Sequence, residues 1–224
     1  MNELISFLQE RYPQLLVLVI DHLYISGVAV LAGFLVACPL GVLLTKMESL
    51  SKYVMTAVNA IQTIPSLALL GLMIPLFGIG KLPAIAALFL YSLLPIVRNT
   101  YTGLKQVDVS LLEAARGMGM NQYQILFKVQ APLATPVIIA GLRTAAIYTI
   151  SWATLAAFIG GGGIGYYVVM GLTTSNNTML LVGAIATALL ATVANILTNV
   201  LQMLATPKGL RNYMQNNKSG GRQK

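Results

Sequence analysis

Residues 113–132 read EAARGMGMNQYQILFKVQAP. Glu113, Arg116, Lys128 and a run of amides stand together here, in a chain that is 57% hydrophobic and only 9% charged. An ordinary soluble domain carries roughly 25% charged residues, so this segment is a polar island in a lipid-embedded composition. Its flanks agree. Upstream, residues 23–45, 53–80 and 82–97 carry no charge; downstream, none lies between Arg143 and Lys208. A spanning helix needs roughly 20 mostly apolar residues, so five crossings are expected, over residues 23–45, 53–77, 82–97, 133–159 and 179–204. Gly160, Gly161, Gly162 and Gly163, followed by the polar run 173–178, divide the last uncharged stretch in two.

The net charge of +8 is distributed by sides. Lys46 and Lys52 follow the first crossing, and Arg98, Lys105, Arg116 and Lys128 follow the third. Lys208, Arg211, Lys218, Arg222 and Lys224 follow the fifth. The other side holds only Arg11 and Lys81, with Glu3, Glu10 and Asp21. Lys and Arg near helix ends mark the cytoplasmic side. The chain therefore reads as an all-α membrane protein with its N-terminus outside and its C-terminus in the cytoplasm. The basic residues orient it and attract anionic lipid; no nucleic acid is needed to explain them. Residues 1–21, which lack the basic start of a cleavable signal, are expected as an interfacial helix with Leu4, Ile5, Phe7 and Leu8 on its apolar face. Residues 22–206 form the membrane domain, with a loop at 98–130, and 207–224 a basic tail.

Several chemistries are excluded. Gly78-Ile79-Gly80-Lys81 lacks the spacing of a phosphate loop. With one histidine, His22, and one cysteine, Cys38, there is no Cys/His ligand spacing, and no credible Ser/His/Asp set stands out. Apart from Arg143, the expected crossings hold essentially no ionisable group, whereas ion-coupled pumps keep such groups inside. Energy for uphill transport would come from elsewhere.

The loop at 98–130 is too long for a mere connector. Ser110 with Glu113 fits the S/T-x-x-E capping box, and Asn121 with Gln124 repeats it with an asparagine cap. Between them Arg116-Gly117-Met118-Gly119 offers a glycine for the left-handed residue that ends a helix. Helix, glycine turn, helix and then Pro132 at the entry to the next crossing is the expected order. Tyr123 and Phe127 share one face of the second helix, Ile125 and Val129 another. Such a pair is either a docking element for a cytoplasmic partner or a hairpin that merely closes the bundle.

These residues resemble the cytoplasmic coupling motif of ABC importer permeases: EAA, three residues, Gly, nine residues, I-x-L-P. Glu113, Ala114, Ala115 and Gly119 stand at the required intervals, and Val129-Gln130-Ala131-Pro132 replaces I-x-L-P with two apolar substitutions. Residues 61–66 (IQTIPS), 140–145 (AGLRTA) and 156–165 (AAFIGGGGIG) are similar to permeases of quaternary-amine osmoprotectant importers, and methionine-type permeases share the architecture. The resemblance implies the methionine-type permease fold with five transmembrane helices, in a multi-pass protein of a bacterial cell membrane. It implies two permease subunits, identical or paralogous, two ABC ATPase subunits and an extracytoplasmic binding protein. This chain would bind no cofactor; ATP and Mg would belong to the ATPases. Glu113, Ala114, Ala115, Gly119 and Pro132 would transmit their closure. The substrate would be glycine betaine, carnitine or choline, with methionine or another amino acid as the alternative within the class. A self-sufficient channel or secondary carrier is the alternative outside it, though neither needs a docking hairpin.

Gln62, Tyr148, Ser151 and Trp152, with Tyr166 and Tyr167, either line the translocation path or pack between helices. Aromatic faces would attract a quaternary ammonium by about 0.5–2 kcal/mol per ring. Glycines 160–163 form either a gate hinge or a tight break outside the bundle, and Pro65 is expected to kink the second crossing.

Overall fold

The computed structural model describes residues 2–206, with side chains from Ser6 onward. The basic tail 207–224, and the side chains of Leu4 and Ile5, lie outside the described residues. Every described element is helical: α1 (Asn2–Leu44), α2 (Glu48–Thr63), α3 (Ser66–Phe77), α4 (Lys81–Lys105), α5 (Val109–Gly117), α6 (Gln122–Ile125), α7 (Ala131–Ala153), α8 (Gly165–Thr173) and α9 (Asn177–Ala205). A π-helical turn, Leu126–Gln130, joins α6 to α7, and a 3-10 segment, Thr154–Ile159, follows α7. Among the described residues, four helices are long and apolar enough to cross a membrane, or five if the bent pair α2–α3 is one crossing.

At its centre, α4 lies between α1 and α7. Ile96 and Val97 of α4 are fully buried with Ala37 and Leu44 of α1 and Ala145 of α7. Small residues permit this closeness, as is usual where lipid supplies no hydrophobic drive between helices. A Cβ on Gly141 would lie 2.6 Å from Asn99 Cβ, and one on Gly41 would lie 2.7 Å from Thr100 Cβ. The apolar residues left exposed along α9, such as Leu181, Leu189 and Leu197, suit contact with acyl chains.

Three expectations need correction. No break separates residues 1–21 from the first crossing, because α1 runs unbroken to Leu44. At 1.5 Å per residue it is about 65 Å long, twice a hydrocarbon core. Charged residues interrupt hydropathy without interrupting backbone hydrogen bonding, and the early turns have their own core: Phe7, Leu8 and Leu15 pack beside Leu18, Ile164, Tyr167 and Met179. The second crossing is broken rather than kinked, with α2 and α3 meeting at 100°. Pro65 drives Ile64 into an extended conformation with ψ 129°, and the Tyr91 hydroxyl donates to the freed Ile64 carbonyl at 2.6 Å. The third crossing is longer than 82–97: α4 continues through Arg98 to Lys105, so the expected loop at 98–130 begins eight residues later.

Candidate functional site: a helical hairpin at the basic end

The hairpin begins with a cap two residues earlier than the Ser110–Glu113 pattern suggests. Asp108 is the N-cap, and its carboxylate accepts the Ser110 N–H at 2.9 Å. That bond holds the Asp108 carboxyl below the usual carboxylate range. Ala115 is buried, while Glu113 and Ala114 are exposed. The helix ends in a Schellman turn: Met120 N–H donates to Ala115 O at 3.1 Å and Gly119 N–H to Arg116 O at 2.9 Å. Gly119 carries the required positive φ, +79°. Two residues on, Asn121 and Gln124 form the reciprocal capping box, with both bonds at 2.9 Å. Ile125 faces inward at 7% exposure, whereas Tyr123 and Phe127 are each 69% exposed and Met118 is 71%. The result is a tight hairpin with a carboxylate, a small-residue shelf and apolar knobs on its outer surface.

Its second arm is continuous with the next crossing. Pro132 has no N–H, and its ring crowds the carbonyl one turn earlier. The chain adapts by widening, so that Ala131 N–H reaches back five residues to Leu126 O. Gln122 to Ile159 consequently forms one 38-residue span rather than a loop helix and a separate crossing. Beyond the π turn, Arg143 Nη1 donates to Asn199 Oδ1 at 2.8 Å and Gln202 Nε2 to Pro136 O at 3.1 Å, tying α7 to α9.

Deeper in the bundle, three of the expected path residues meet around one the sequence did not single out. Trp152 packs against Tyr91 with ring centroids 4.5 Å apart and ring planes tilted by 50°, and lies 5.5 Å from Tyr148. Gln62 Nε2 donates to the Tyr91 carbonyl at 3.0 Å. Tyr91 therefore fixes the α2–α3 break and the aromatic pair at once; its only sequence signal is a polar aromatic four residues before Pro95. Ser151 is exposed beside this group, its hydroxyl satisfied by Ile147 O at 3.0 Å. Tyr167 does not join it. That ring is fully buried, edge-on to Phe7 at 5.6 Å, with its hydroxyl donating to Gln14 Oε1 at 3.2 Å. Tyr166 stays beside Tyr167.

The glycine cluster lies against the bundle at the end opposite the hairpin. Gly160, Gly162 and Gly163 have positive φ values of 73°, 79° and 76°. A Cβ on Gly163 would sit 3.0 Å from His22 Nδ1. His22 is fully buried, and since a carbonyl only accepts, its Nε2–H donates to Ile150 O at 2.9 Å. The Thr154 N–H, which would reach this carbonyl in a regular α-helix, bonds Trp152 O instead. Alongside, Lys81 pairs with Asp21 at 2.6 Å, and Gly80 N–H donates to Ile159 O at 3.0 Å. His22 thus anchors the last turn of α7, a role that a lone histidine does not announce in sequence.

Among known proteins, residues 29–208 match the family described as binding-protein-dependent transport system inner membrane component. The glycine betaine/carnitine/choline transport system permease OpuCB of Bacillus subtilis is 49% identical over 94% of this chain and 97% of its own length. The choline permease OpuBB of the same organism is 47% identical, and the carnitine permease OpuCB of Listeria monocytogenes 44%, both over the same shares. A chain of the MetNI methionine ABC transporter in an inward-facing form is 26% identical, with a TM-score of 0.78 over 87% of this chain and 97% of that one.

Proposed function

Because this chain belongs to the binding-protein-dependent transport system inner membrane components, we propose that it is the permease subunit of an ATP-driven importer of quaternary-amine osmoprotectants. The observation that carries the reading is the hairpin. A capped, glycine-turned pair of helices, exposing Glu113, Ala114, Met118, Tyr123 and Phe127, suits the cleft of a soluble ATPase. It also opens directly into a spanning helix. ATP-driven closure of two partner subunits on two such hairpins would swing α7 and alternate access. The nucleotide and Mg would stay with those partners, and an extracytoplasmic binding protein would deliver the solute. The crowding of Lys46, Lys52, Arg98, Lys105, Arg116 and Lys128 at this end supports its cytoplasmic placement.

The translocation path runs beside Trp152. Asn59, Thr63, Tyr148 and Ser151 are exposed within segments long and apolar enough to span. Polar groups at that depth face a cavity or another protein rather than lipid, so a second permease subunit completes the path there. An uncharged aromatic wall suits trimethylammonium groups, and the curated relatives are named for such solutes.

The experiment has two steps. Pull-down of the full-length chain from its native membrane should bring an ATPase subunit with it; isolation alone, under conditions that preserve membrane complexes, would defeat the coupling reading. In proteoliposomes the complex should take up labelled betaine, carnitine or choline. Uptake of methionine alone would reassign the substrate, an outcome kept open by the likeness to the MetNI chain.

A further inference from the structure

At the basic end, between the ends of α1 and α4 and the inner side of the hairpin, lies a cavity of about 420 Å³. Lys46, Lys105 and Arg116 stand in its lining, and the buried side chains of Leu104, Ile125 and Leu126 are also part of it. Among the described residues, neither Lys46 nor Arg116 has a carboxylate partner. Lys105 pairs with Glu48 at 3.0 Å, but Glu48 lies outside the lining. Asp108, next to the lining residue Val109, spends its carboxylate on Ser110 N–H. Three cations thus surround a space with two neighbouring carboxylates, Glu48 and Asp108, both outside the lining, to offset them. The Lys46 ammonium lies 5.2 Å from the centre of the Tyr123 ring, which holds it at the rim.

We propose that this cavity binds the headgroup of an anionic phospholipid, its phosphate against Lys46, Lys105 and Arg116 and the start of its acyl chains on the leucine and isoleucine surface. Three observations favour a lipid over a free phosphate. The cavity lies beside Leu44 and Lys105, the last residues of two spanning helices, where the hydrocarbon gives way to headgroups. Its lining joins basic to apolar residues, as an amphiphile requires, whereas a small anion needs polar partners all round. Its volume falls in the range of roughly 300–1,000 Å³ typical of pockets for molecules much larger than phosphate. Basic pockets between helices at the cytoplasmic face are suited to anionic headgroups. Because the same cavity touches α4, α5 and α6, a bound lipid would brace the hairpin against the membrane, a role independent of the transported solute.

The test uses the full-length chain, purified with whatever subunits accompany it, in nanodiscs of phosphatidylcholine with or without phosphatidylglycerol. Native mass spectrometry then reads the lipid retained on release. Phosphatidylglycerol should be retained selectively. A basic residue near the membrane surface contributes about a fivefold gain in affinity for anionic lipid. Lys46→Gln with Lys105→Gln should therefore weaken retention roughly 25-fold on that basis. Lys52→Gln removes an exposed lysine of α2 that is not in the lining and should leave retention unchanged. Equal loss in Lys52→Gln would mean diffuse surface charge and overturn the proposal. So would full retention by the double variant. Inorganic phosphate, added to lipid-stripped protein, should give no stabilisation that depends on Lys46 and Lys105; if it does, the site is one for free phosphate. Retention absent from a complex with an ATPase subunit but present on the chain alone would show the cavity filled by that partner, and would also sink the lipid assignment.

Discussion

At Gly119 a single backbone angle decides whether the hairpin closes. A Cβ there would meet no neighbour within 4 Å, so the demand is purely conformational: φ is +79°, a region costing β-branched residues on the order of 1–3 kcal/mol. Gly119→Val should therefore uncouple ATP hydrolysis from uptake, while Gly119→Asn, whose side chain tolerates left-handed backbone, should keep most of the coupling. Equal coupling in both variants, measured in proteoliposomes, would remove Gly119 as the pivot. His22 makes the opposite kind of demand, since it must fill a space and donate one hydrogen bond. His22→Leu leaves the Ile150 carbonyl without that donor and should cost about 1–3 kcal/mol. His22→Gln can return an N–H to nearly the same place and should recover much of it, as read from thermal unfolding in detergent. No difference between the two would mean that the bond to Ile150 contributes nothing.

At the scale of elements, the polar hairpin was largely legible because its signals are local. Asn121 with Gln124, and Gly119 as the helix terminator, act within a turn of where they stand in sequence. Elsewhere local pattern and backbone continuity diverge. Hydropathy falls at Asp21, but α1 continues because nothing there stops its backbone bonding. Residues 165–173 are too short and too closely bounded by Gly160–Gly163 and the polar run to stand out as α8. Tyr91 meeting Trp152, and His22 reaching Ile150, are contacts across long sequence separations that no single-chain pattern encodes. The π turn before Pro132 is a further case: the proline announces a helix start, while the structure threads it through a continuous span. Pro132→Ala would restore an N–H and let this turn tighten towards α-helical bonding, shifting α6 around the axis of α7. The expected result is higher thermal stability with slower uptake; unchanged uptake at raised stability would show that the hairpin's angular setting is irrelevant to transport.

For the molecule as a whole, the aromatic group at Trp152 carries the substrate argument, and its removal should be graded. Trp152→Ala should lower uptake of a trimethylammonium solute by about 2- to 30-fold, the range set by one cation–π contact of about 0.5–2 kcal/mol. ATPase activity in the absence of solute should change little, and a variant transporting normally would take the path elsewhere. The continuous span from Gln122 to Ile159 also has a mechanical consequence. Gly141 presses α7 against Pro95 O and Asn99 of α4, where a Cβ would find them 2.7 and 2.6 Å away. That contact makes a fulcrum, with an arm of about 28 Å to Gln122 and about 18 Å to Ala153 at 1.5 Å per residue. A rod so held reverses a sideways push at the hairpin and delivers it at the far end reduced by about a third. Spin-label distances from each end of the rod to α4, with and without nucleotide, should change in opposite senses and in that proportion; movement in the same sense would mean that α7 translates instead of tilting.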